Sequence, residues 1–119
     1  MMSDATTIDY IAKDEANGKL VLLIKEDRPW DDIPAMYRQL KSKIDTYYQY
    51  IMDPAFAREY PGTAPRDIVI TLICLSPPGP QSIQFFQYVR DVLAQDQIGF
   101  QYLEKPGVQP GGGGAPRSC

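Results

Sequence analysis

Two strand-length apolar runs set the frame of this chain: Lys19 to Lys25, KLVLLIK, and Asp67 to Ser76, DIVITLICLS. Neither run alternates. A strand that is apolar on both faces belongs inside a sheet, and such strands are typical of parallel sheets covered by helices. Between the two lies an amphipathic stretch, Trp30 to Ile51, in which Ile33, Met36, Tyr37, Leu40, Ile44, Tyr47, Tyr48 and Ile51 recur every three or four residues. On a helix these side chains fall within an arc of about 120°, the width of a core-facing stripe. Strand, helix, strand at this spacing predicts a parallel crossover unit.

The flanking segments extend the pattern. Thr6 to Lys13 alternates, with Ile8, Tyr10 and Ala12 against Asp9, Ile11 and Lys13, and reads as a half-buried edge strand. Asn17-Gly18 supplies the positive φ angles of a hairpin between it and the first apolar run. Pro29 stops that run, and Asp31 or Asp32 is placed to cap the long helix. Pro54 ends the helix, and Ala55 to Tyr60 is expected to form a short further turn. After the second run, prolines 77, 78 and 80 break the strand, with Pro80 in the first turn of another helix. Phe85, Phe86, Val89, Val92 and Leu93 are its expected core face, Gly99 its terminator, and Phe100 to Glu104 a last strand.

The expected fold class is therefore α/β, an α+β two-layer sandwich. It has a four-stranded mixed sheet in the element order β-β-α-β-α-β, one hairpin followed by two right-handed crossovers. Residues 1–105 form a single domain, and the Gly/Pro-rich tail 106–119 is expected to be disordered, having no apolar periodicity to offset its ordering entropy. If the strands lie in sequence order, both crossover helices cover one face. Val21, Leu23, Val69, Ile73 and Leu75 are then left on an open apolar face, which marks an interface. A strand order that puts the helices on opposite sides is the other resolution.

Composition removes whole classes of function. Histidine is absent, and with it the commonest general base and the commonest zinc ligand. No catalytic residues, metal site or cofactor are expected. The net charge is −3; Lys105 and Arg117 are the only charges of residues 105–119, so residues 1–104 carry −5. Such a domain repels phosphate backbones and anionic lipid, and Arg38, Lys41 and Lys43 are too interspersed with acids to make a nucleic-acid footprint. No apolar run approaches the ~20 residues of a membrane span, and the first residues lack the pattern of a secretion signal. Cys74 and Cys119 suggest neither a disulfide framework nor a metal site, which fits a cytoplasmic protein.

One weak candidate site remains. The carboxyl ends of parallel strands are where α/β folds bind ligands, and there the chain gathers Asp27, Arg28, Trp30, Asp31 and Asp32 with Ser76 and Ser82. The functional reading is a polar cleft with a stacking face, a cation and carboxylates. The structural reading is helix capping beside a solvated acidic turn, with Trp30 as a lid on the helix stripe. An anion cradle at Gly79, Gln81 and Ser82 is disfavoured because the neighbouring prolines lack the N–H donors it needs. Tyr37, Tyr47 and Tyr48 belong to the core stripe, whereas Tyr50 lies off it and is expected to be exposed.

Several residues together resemble a family of small bacterial proteins known as a domain of unknown function. They are Ile8-Asp9, Gly18, Trp30-Asp31, Leu40 with Lys43-Ile44-Asp45 and Tyr47, Tyr60-Pro61, and Ile68-Val69-Ile70. The resemblance implies a bacterial, cytoplasmic, stand-alone domain and carries no activity. The expected function is a non-enzymatic interaction or adaptor protein, its partner a second copy or another protein, bound through the open sheet face. The alternative is a small-ligand or metal-binding protein, or a weak hydrolase, with its site at the polar strand ends.

Overall fold

The computed structural model describes residues 7–104 and the backbone of 117–118. The strands are β1 (Tyr10–Asp14), β2 (Lys19–Glu26), β3 (Ile68–Cys74), β4 (Gly99–Glu104) and a two-residue β5 (Arg117–Ser118). The helices are α1 (Ile33–Met52), α2 (Pro54–Glu59) and α3 (Pro80–Ala94). They form an α+β fold in which the sheet runs in the order β1-β2-β3-β4-β5. β1 is antiparallel to β2, the pairs β2–β3 and β3–β4 are parallel, and β5 returns antiparallel to β4. The remaining residues of the tail lie outside those described.

Both crossovers step in the same direction across the sheet, and connections of one hand then lay both helices on the same side. Burial confirms the side. Leu20, Leu22 and Ile24 of β2 and Ile68, Ile70 and Leu72 of β3 are buried, joined by Met36, Leu40, Ile44, Tyr47 and Ile51 of α1 and Phe86, Val89 and Leu93 of α3. The intervening positions Val21, Leu23, Val69 and Ile73 are only half-buried.

Three sequence readings are corrected at this level. In α3, Val92 is 41% exposed and Phe85 only half-buried, because Ser82 takes the inward position one turn before Phe86. Gly99 does not end the helix. Gln97 makes the left-handed turn at φ 65°, and Gly99 opens β4 against Val69, where a Cβ would stand 3.2 Å from a side-chain methyl. Tyr50 is half-buried, edge-on to Phe56, and burial pushes its hydroxyl up to about 12. Gly18 adopts φ 67°, as the hairpin reading requires.

The largest surprise is Lys43, which is fully buried. Its ammonium donates to the Thr7 carbonyl at 2.7 Å and to Asp9 Oδ1 at 2.7 Å. One turn on, the Tyr47 hydroxyl donates to the Leu23 carbonyl at 2.6 Å and accepts from the Asp9 N–H at 2.9 Å. Two side chains of α1 thus tie the entry of β1 to β2, and burial raises the Tyr47 hydroxyl far above its ordinary range. Burial alone would also raise the Asp9 carboxyl, but the hydrogen bonds it accepts, Lys43's first among them, hold it below its ordinary value. Lys43→Met is expected to cost about 3 kcal/mol, since it removes the ammonium partner of a partly buried carboxylate, and Tyr47→Phe about 1–2 kcal/mol. Urea unfolding at neutral pH measures both.

Candidate functional site

The strand ends that the sequence marks as a polar cleft are closed on themselves. β2 finishes on Glu26, which points to the helix side and is fully buried. Arg28 folds back over it: its N–H and Nε donate to Glu26 Oε2 at 3.0 and 2.8 Å, and Nη2 donates to Oε1 at 2.8 Å. The same Nη2 donates to Gln39 Oε1 of α1 at 2.6 Å. Burial alone would raise the Glu26 carboxyl, yet the Arg28 hydrogen bonds outweigh it and hold the group below its ordinary value. Arg28 is therefore a clamp between β2 and α1, and its guanidinium is spent on the protein.

The other residues of that set disperse. Asp27, Asp31 and Asp32 are exposed, and Asp32 sits at the N-cap of α1 without a side-chain capping bond, so capping does not account for the acids. Among the described residues no three acidic or cysteine side chains gather to hold a metal ion. Trp30 packs edge-on to Phe86 with ring centroids 5.2 Å apart, the lid position that the structural reading gives it. Ser76 is half-buried. Ser82 is fully buried, and its hydroxyl, the Trp30 indole N–H and the Tyr37 hydroxyl have no hydrogen-bond partner among the described residues. Tyr37 itself stacks on Phe85 at 4.2 Å.

The second candidate surface is the sheet face away from the helices. Register places Tyr10 and Ala12 of β1 beside Leu23 and Val21 of β2, then Val69, Thr71 and Ile73 of β3, then Gly99, Gln101 and Leu103 of β4. Tyr10 is 60% exposed, and the aliphatic residues between are half-buried. Thr71, at the centre, is covered by Gln101, whose Nε2 donates to its hydroxyl at 3.1 Å. Leu75, just past β3, is half-buried, and its N–H donates to the Glu26 carbonyl at 2.9 Å. No helix among the described residues covers this face, so Val21, Leu23, Val69 and Ile73 share one surface. Sequence reasoning missed Tyr10 and Leu103 there; the alternation of β1 and β4 carries both once the register is known.

With this geometry the chain was compared with known proteins. The model of a family of unknown function, DUF6572, matches residues 1–105. The chain belongs to that family. No curated protein and no solved structure matches it. The residues that carry the resemblance acquire physical roles: Asp9, Lys43 and Tyr47 form the buried tie of β1 to α1, Gly18 the left-handed hairpin residue, and Trp30 the lid on Phe86. Among the described residues no helix is long and apolar enough to cross a membrane.

Two measurements follow. Asp9 and Glu26 both titrate below their ordinary values, so each adds stability that is present above about pH 5 and is lost as pH falls through the depressed folded values. Urea midpoints are expected to be flat from pH 7 to 5 and to fall steeply toward pH 3. Ser82→Ala is expected to raise stability by about 0.5–1 kcal/mol, because it removes a buried unpartnered hydroxyl and favours the helix. A loss of stability would show that the hydroxyl is engaged in solution.

Proposed function

We propose that this domain is a non-enzymatic interaction module that associates through its open sheet face, with a second copy of the chain as partner. The observation that carries the reading is the apolar strip Val21, Leu23, Val69 and Ile73, flanked by the exposed Tyr10. Strands β2 and β3 spend β-branched and aliphatic side chains on a face that no helix among the described residues covers, and exposed apolar patches of this kind mark association surfaces. The rim carries both signs, Asp14 beside Lys19 and, farther along β2, Lys25. A two-fold pairing sets such a patch against itself with opposite charges within reach.

Analytical ultracentrifugation tests this. The full chain is expected to sediment as a dimer at micromolar concentration, with Leu23→Glu or Ile73→Glu returning it to a monomer of unchanged far-ultraviolet dichroism. A strict monomer at those concentrations would sink the self-association reading; a monomer that co-sediments with another protein of its cell would make it an adaptor instead.

A second reading, a small-ligand protein, is favoured by the polar groups of Trp30, Tyr37 and Ser82, which are buried without a hydrogen-bond partner among the described residues. It predicts a ligand-induced rise in melting temperature that Trp30→Ala abolishes. A panel of small polar metabolites producing no shift removes it.

A further inference from the structure

The last edge of the sheet is occupied in an unusual way. β4 is six residues long, yet among the described residues β5 pairs only with its end, Ser118 opposite Leu103 and Arg117 opposite Glu104. No strand among the described residues pairs with the outer side of Gly99 to Gln101. Alongside that stretch runs a groove of about 170 Å³ between α3 and β4, lined by Phe86, Gln87 and Arg90 on the helix and Phe100 and Tyr102 on the strand. An exposed strand edge offers a row of backbone donors and acceptors, and a neighbouring helix groove gives side-chain selectivity to a peptide that adds as a further strand.

We propose that the β4 edge is a docking site for an extended peptide, and that the chain's own Arg117–Ser118 strand is a tethered cap on it. The seated tail shows that the edge accepts an antiparallel strand, and fixes the register. In that register, residues opposite Tyr102 and Phe100 project to the helix side, because alternate side chains of a strand share a face. They face the half-buried ring of Tyr102, which stands 4.7 Å from the core ring of Phe86 at the floor of the groove. The groove therefore selects a peptide with a large apolar side chain at one of those two positions. Two paired residues engage too little backbone to hold the edge firmly. This site is separate from the open sheet face and does not rest on self-association.

The test uses the full chain and a fluorescein-labelled nine-residue peptide of alternating threonine and valine with a central phenylalanine, followed by fluorescence anisotropy. Arg117→Pro/Ser118→Pro removes the pairing capacity of the tail while leaving the domain untouched. Peptide binding to this variant is expected to be at least about threefold tighter than to the wild-type chain, since a tethered competitor acts at effective concentrations near the millimolar range. Methylating alternate backbone nitrogens of the peptide is expected to abolish binding, and Leu23→Glu to leave it unchanged. Equal affinity for the two chains would overturn the cap. Binding that survives methylation, that Leu23→Glu removes, or that is absent for the double-proline chain up to ~1 mM would overturn the site.

Discussion

The handedness of parallel crossovers governs this structure more than any single contact. Connections of one hand between strands laid down in sequence order place α1 and α3 on the same side of the sheet, and they do so whatever the strands carry on the other side. β2 and β3 nevertheless carry aliphatic side chains on both faces. One set is sealed under the helices, and the other is left on a surface. Larger α/β proteins resolve the same conflict by reversing strand order and covering both faces. The described residues hold only two long helices with which to do so.

Because only one layer of helices grips the sheet, its attachment depends on polar pins as well as on apolar burial. Lys43 and Tyr47 hold the start of β1 and the middle of β2 to α1, and Glu26 with Arg28 and Gln39 holds the end of β2 to the same helix. Each pin is an ionised or hydroxyl group whose removal leaves another polar group stranded, so each specifies one helix position where hydrophobic packing would tolerate several. Between the pins lies the aliphatic core, and beyond them the aromatic seam of Trp30, Phe86 and Tyr102 closes the space where α3 meets the sheet. Glu26 and Arg28 at the end of β2 thus belong to the scaffold.

Much of this was legible in the sequence, for definite reasons. Two unbroken apolar runs and a 3.6-residue stripe fix the crossover unit, and proline placement fixes the element ends, as Pro54 and Pro80 show. Those elements allowed an open face or helices on opposite sides, and the strand order β1-β2-β3-β4 decides for the open face. What stayed hidden depends on contacts distant in the chain. Lys43 looks like a surface charge until Thr7 and Asp9 are brought to it from 36 and 34 residues away. Arg28 looks available for a ligand until Glu26, two residues before it, proves to be buried. Val92 and Phe85 look like core because periodicity marks a face without saying how wide the partner surface is; Ser82, a polar residue, occupies the centre instead.

The proposed association uses the sheet face and not the helix side, where Tyr88 and Val92 also stand exposed beside a groove. Hydroxyl-radical footprinting across a concentration series separates the two at residue level. Labelling of Tyr10, Leu23, Ile73 and Leu103 is expected to fall as protein concentration rises while that of Tyr88 and Val92 stays constant. Protection confined to Tyr88 and Val92, or no protection at any of these residues, would contradict it.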